Sequence, residues 1–166
     1  MTMLALIQKI LYATDLGANA PTVFNYAVSL ARSFQAEIHL LHAIEPLGAT
    51  GRTLMRSAVP EKQLDELERQ GLAKVRKEIH RRLSEFAKRE LGTADERATL
   101  VSKIVIAEGQ ADTVIIEQAK KIGADLIVMG THSQSPLDRV LLGSVARKVT
   151  HLSPVPVLLV PIPGER

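Results

Sequence analysis

The stretch ADLIVMGTHSQSPLDRVLLGS, residues 124–144, joins an apolar strand to an apolar helix through a polar loop. The strand is expected over residues 125–130 and ends at Gly130. The helix is expected over residues 144–152 and is opened by the pair Gly143 and Ser144. A strand ending in glycine, then small residues, then Gly-Ser at a helix start is how a backbone closes around a phosphate. Main-chain N–H groups and the positive helix end supply the anion site, and glycine permits close approach. The middle of this loop is poorer in glycine than such cradles usually are.

Working outward, residues 9–14 (KILYAT), 36–44 (AEIHLLHAI), 98–107 and 155–160 read as further strands, apolar throughout. Helical spacing of Val23, Tyr26, Ala27, Leu30 and Phe34 marks a helix over residues 22–34, after a turn with Asn19 and Pro21 as breakers. A long amphipathic helix follows over residues 63–91, its stripe broken at Gly71 and Leu72, and another over residues 111–122 stopped by Gly123. Residues 47–60 show no clear period and read as a flexible loop, either a lid carrying Arg52 and Arg56 or a linker. The order βαβαβαβαβ with non-alternating strands predicts an α/β fold. Its core is an open, doubly wound, five-stranded parallel sheet with helices on both faces.

At 166 residues, 46% hydrophobic and 23% charged, the chain has the size and composition of one globular domain over residues 1–166. Aromatic content of 3% with no Trp assigns the core to Leu, Ile, Val and Ala, and leaves few platforms for stacking bases. Without cysteine there are no disulfides and no thiolate chemistry, which fits a reducing compartment. The net charge is +3, but residues 61–97 hold ten Lys/Arg against nine Asp/Glu. A balanced run is a solvated helix face, so no nucleic-acid partner is expected. No apolar run approaches the roughly 18 residues of a membrane span. The N-terminus lacks a basic region followed by a small-residue cleavage site, so a cytoplasmic protein without membrane partners is expected.

Ligands of open α/β sheets sit beyond the carboxyl ends of the strands, where the strand order reverses. Of the strand ends, only residues 13–16 and 130–135 combine a charged or hydroxyl side chain with a backbone suited to close approach. Asp15 is either a site carboxylate or a turn aspartate that ties its own loop. His132 is a phosphate or Mg²⁺ contact, or a plain surface histidine. Arg139 is best placed to neutralise phosphate, while Arg147 and Lys148 read as solvated helix charges. His39 and His42, three apart on a strand, point to opposite faces and do not share a metal. Ser144, His132 and Asp138 lack the elbow of a hydrolase triad. With no Walker lysine, strong general base or nucleophile, nothing beyond slow ATP hydrolysis is expected.

Taken together, KILYATDLGANAPTVFNYAVSLARSFQAEIHLLHAIEP at the front and ADLIVMGTHSQSPLDRVLLGSVARKVTHLSPVPVLLVP at the back resemble the universal stress protein domain over the whole chain. The resemblance implies the flavodoxin-like strand order 3-2-1-4-5, with its switch point between strands one and four, at Asp15 and Gly130. Nucleotide-binding members carry a loop of Gly, two residues, Gly, nine residues, Gly, then Ser or Thr. Gly130, Gly143 and Ser144 match that frame, while Ser133 stands for the second glycine and Pro136 at a position often glycine. Serine resists a left-handed backbone and proline lacks an N–H, so a weakened triphosphate site is expected. By resemblance, Ala13, Thr14, Asp15 and Ala43 line the adenine and ribose pocket. Met129, Gly130, His132, Ser133, Gly143, Ser144 and Val145 surround the phosphates.

The expected function is an ATP-responsive binding module of the stress response, with Mg²⁺ accompanying the nucleotide. The alternatives are a nucleotide-free member working by dimerisation and protein contacts and, least supported, a slow ATPase or phosphotransferase. Pro154 and Pro156 make residues 155–160 an edge strand. Val155, Val157, Leu158, Leu159 and Val160 leave that edge apolar, so a homodimer through it is expected, as the resemblance also implies.

Overall fold

Strands covered on both faces have no reason to alternate, and the apolar runs of the sequence form such a sheet. The structure, a computed structural model, describes residues 6–92, 95, 99–131 and 142–162. In chain order the elements are β1 (Lys9–Ala13), α1 (Ala20–Phe34), β2 (Glu37–Ile44), α2 (Ala49–Ala58) and α3 (Glu61–Leu91). They continue with β3 (Val101–Glu108), α4 (Ala111–Ile122), β4 (Leu126–Gly130), α5 (Ser144–Leu152) and β5 (Val157–Val160). All strand pairs are parallel, and the order is β3-β2-β1-β4-β5. Central β1 pairs Lys9 with Glu37 on one side and Ile10 with Leu126 on the other. Asp125 locks that register by accepting the N–H groups of Gln8 and Lys9, both at 2.9 Å.

Alternate residues of each strand feed two cores. Ile10, Tyr12, Leu126 and Val128 face α1 and α3, where Phe24 and Phe86 pack. Leu11, Leu41, Ile127 and Met129 face α4 and α5, against Ile115, Ala119 and Val149. Three of the five Phe and Tyr residues gather in the first core. Phe24 lies 5.1 Å from both Tyr12 and Phe86 by ring centroids, within the range that favours tilted aromatic pairs. Burial pushes the Tyr12 phenol above its ordinary value, so it stays neutral and donates to the Ala20 carbonyl at 2.8 Å.

Several boundaries differ from expectation. Residues 47–60 are not a loop: α2 occupies most of the segment. It buries no residue, so no apolar stripe is required of it, and it leans on α3 through Arg52 and Glu68, 2.8 Å apart. Helix α1 begins at Ala20, because Pro21 falls in the first turn, where its missing N–H costs nothing. Thr99 and Leu100 are helical, so β3 starts at Val101 and not at Ala98. Strand β5 starts at Val157, although the Pro156 carbonyl already accepts the Ile127 N–H at 3.0 Å. Among the described residues no helix is long and apolar enough to cross a membrane.

Helix α3 runs unbroken through Gly71 for 31 residues, about 46 Å. Only Leu64, Leu83, Phe86, Ala87 and Leu91 are buried along it. Its exposed middle rests on pairs one turn apart, such as Arg81 with Glu78 and Glu85, both at 2.6 Å. Each contributes only a few tenths of a kcal/mol, about 0.2–0.5. Gly71 is exposed, and an added Cβ would meet nothing within 4 Å. Gly71→Ala is therefore expected to stabilise the protein by about 0.5–1 kcal/mol, read as a higher urea midpoint at unchanged slope.

Candidate functional site

At the carboxyl end of β1 the chain turns sharply into α1, and short side chains tie the turn down. Thr14 Oγ1 accepts the Leu16 N–H at 3.0 Å, and Asp15 Oδ1 accepts the Gly17 N–H at 2.8 Å. These bonds hold Leu16 at a φ of 58°, a left-handed backbone that costs a non-glycine residue about 1 kcal/mol. Asp15 is thus a turn aspartate, and it is exposed beside the sheet end. On the neighbouring strand His42 Nδ1 lies 2.8 Å from the Thr14 carbonyl, fixing β2 to the same turn.

Beside this turn, between β1 and β4, lies a cavity of about 340 Å³. That size is at the lower end of small-molecule sites. Its walls include Ala13, Thr14, Asp15, Ala43, Met129, Gly130, Gly143, Ser144 and Val145, all singled out from the sequence. His132, Ser133 and Arg139 lie outside the described residues. Lys148 pairs with Asp112 of α4 at 3.2 Å, which ties α5 to α4.

His42 and Glu45, strand-end candidates that the sequence offered no reason to keep, also line the cavity, as do Ala111, Ile115 and Ile162, which the sequence did not point to. The signal for His42 and Glu45 was their place at the end of β2. Nothing local marks Ile162, whose N–H donates to Thr131 Oγ1 at 3.3 Å. Its side chain lies over Gly130: a Cβ there would stand 2.6 Å from Ile162 Cδ1. Gly130 therefore admits Ile162 in this structure.

Two helices present N-termini here, and they are served differently. Glu45 Oε1 approaches the Ala111 N–H at the start of α4, a long contact of 3.5 Å. Helix α5 has Gly143 as its N-cap, not Ser144, and among the described residues no side chain caps it. Gly143 is itself anchored by its N–H to the Thr131 carbonyl at 2.9 Å. Intrahelical bonding begins with the Arg147 N–H on the Gly143 carbonyl at 2.9 Å. The N–H groups of Ser144, Val145 and Ala146 precede that bond, and these three residues line the cavity. Uncapped helix N–H groups with the positive dipole end form an anion site. Among the described residues no three His, Asp or Glu side chains are grouped as metal ligands.

A family model described as the universal stress protein family matches residues 6–161. A universal stress protein of Bacillus subtilis, YxiE, is 33% identical over 156 residues, covering 93% of this chain and 99% of its own length. Universal stress protein MJ0577 of Methanocaldococcus jannaschii is 30% identical over 162 residues, covering 95% of this chain and 97% of its own length. The solved structure of MJ0577 superposes with a TM-score of 0.71 at 27% identity, over 96% of this chain and 99% of that one. A universal stress protein in complex with cAMP shares the fold, with a TM-score of 0.54 at 19% identity over 93% of this chain and 97% of that one.

Gly130→Ala is expected to cost about 1 kcal/mol, because Ile162 Cδ1 is the far end of a side chain that can turn aside. In an Ile162→Ala background the same substitution should cost almost nothing. Urea unfolding of the four proteins of this cycle measures the coupling, and additive effects would contradict the contact.

Proposed function

The chain belongs to the universal stress protein family, and we propose that it works as an adenine-nucleotide-responsive binding module, with Mg-ATP as the expected ligand. The observation that carries this reading is the uncapped N-terminus of α5, opening into a cavity at the switch point. Ala13, Ala43 and Gly143 are small residues of the cavity wall, which suits a flat base and a phosphate, and Asp15 lines the same cavity, where the family resemblance assigns it to the nucleoside. At least one family member, the cAMP complex, holds an adenine nucleotide. Ser133 in place of glycine costs about 1–2 kcal/mol if that position is left-handed. That corresponds to roughly a tenfold loss of affinity, so a weakened site is proposed.

Isothermal calorimetry with Mg-ATP tests this. Saturable heat is expected, strengthened about tenfold by Ser133→Gly and abolished by Gly143→Val, which fills the phosphate space. No heat at millimolar nucleotide, with none gained by Ser133→Gly, would overturn it. One observation favours a second reading, a nucleotide-free module acting through dimerisation and protein contacts. It is Ile162, seated over the glycine that a phosphate would approach.

A homodimer through β5 belongs to either reading, as do a cytoplasmic location and the absence of a nucleic-acid partner. Strand β5 is an edge, and Val157, Leu158 and Leu159 are only half-buried there. Antiparallel pairing with a second copy would cover them. Light scattering at tens of micromolar should give the dimer mass, and Leu158→Lys should shift it to the monomer. A monomeric wild type, or a dimer indifferent to Leu158→Lys, contradicts this interface.

A further inference from the structure

The second edge of the sheet is unlike the first. Among the described residues strand β3 is hydrogen-bonded only to β2, so alternate N–H and C=O groups along its outer side have no strand partner there. Residues 103–108 of β3 form the floor of a groove of about 830 Å³. Arg76, Lys77 and His80 of α3 make one wall, and Gln118, Lys121 and Ile122 of α4 the other. The walls and floor are cationic. Lys77, Lys103 and Lys121 have no ion-pair partner among the described residues, and all three are exposed. Glu108, the single carboxylate of the lining among the described residues, is already held by Arg76 at 2.6 Å. At the groove's end His39 is 8% exposed; Nε2 lies 3.0 Å from Glu37, and Nδ1 has no partner among the described residues.

We propose that this groove receives an extended acidic peptide segment of a partner protein, added as a sixth strand to the outer edge of β3. The floor offers carbonyl acceptors as well as N–H donors. A peptide backbone matches both, whereas a phosphate chain is repelled by the carbonyls. Among the described residues no Phe, Tyr or Trp lines the groove, and of its two imidazoles His39 is buried, which leaves His80 as the one exposed ring for a base to stack on. A second copy of this edge is disfavoured, because its own Lys77, Lys103 and Lys121 would bring like charge to a cationic groove. Acidic side chains on the added strand meet Lys103 from the floor and Lys77 and Lys121 from the walls. One outer carbonyl, that of Ile106, already accepts Arg76 Nη2 at 2.8 Å. Arg76 therefore marks where the added strand must end or exchange the guanidinium onto its own carboxylate. This site is independent of the nucleotide cavity, which lies at the β1–β4 junction.

The test uses a fluorescein-labelled, end-capped peptide of eight residues alternating Glu and Thr, matched to the eight residues of β3. Fluorescence anisotropy with the full chain should show saturable binding. Lys103→Glu with Lys121→Glu should weaken it by about tenfold or more. N-methylation of alternate peptide amides should weaken it comparably, since backbone pairing is then lost while charge is kept. Thermal unfolding checks that the doubly substituted protein is folded, and Lys103→Gln, which should weaken binding in the same direction, serves if it is not. The proposal is overturned by absence of binding at millimolar peptide, or by equal binding of the N-methylated form. Equal binding of a Lys-Thr peptide, or tighter binding of oligothymidine or polyphosphate, overturns it as well.

Discussion

Strand β1 is hydrogen-bonded on both sides and buried on both faces, and the arrangement of the site follows from that. Ile10, Leu11 and Tyr12 are fully buried, so β1 serves both cores at once. Its connection to β2 runs over one face through α1, while β4 is reached from β3 through α4 on the other. Two connections leaving in opposite directions cannot both cover the carboxyl ends of β1 and β4, and a crevice remains between them. The cavity is this crevice. It is a consequence of chain routing before it is a consequence of any side chain.

What lines the crevice is mostly backbone and small side chains. The polar residues nearest to it are already committed: Thr14 and Asp15 to their own turn, and His42 to the Thr14 carbonyl. Among the described residues, the main-chain N–H groups at the start of α5 have no side-chain cap. Such groups attract an anion by fixed dipoles that do not titrate, so their attraction for a ligand is insensitive to pH over the range in which they stay folded. Ile162 adds a contact from the far end of the chain, and brings the segment after β5 to the same glycine that ends β4.

The sheet's two edges carry opposite chemistry. Strand β5 is short and apolar, with prolines just ahead of it, whereas β3 is longer and flanked by cations from three elements. An unprotected edge invites pairing, and charge decides with what. On β3 the guanidinium of Arg76 occupies one outer carbonyl, joining the longest helix to the strand it borders. Helix α2 and the amino-terminal half of α3 stand away from both cores, joined by the ion pair of Arg52 with Glu68, with Leu64 the one buried residue of the two segments.

The sequence by itself determined the element types wherever a strand or helix is buried, because burial imposes a period on consecutive residues. It likewise determined the family and the glycine frame of Gly130 and Gly143, since both are spacings along the chain. It misassigned α2 to a loop, because this short helix lies between Gly48 and Pro60, contains Gly51 and buries no residue. Only the tertiary structure decided that Gly143 and not Ser144 caps α5, that Glu45 serves α4, and that Ile162 covers Gly130. Those contacts join residues from separate strand ends and loops. They depend on the parallel pairing of β1 with β2 and β4, strands distant in sequence whose ends meet only in the folded sheet.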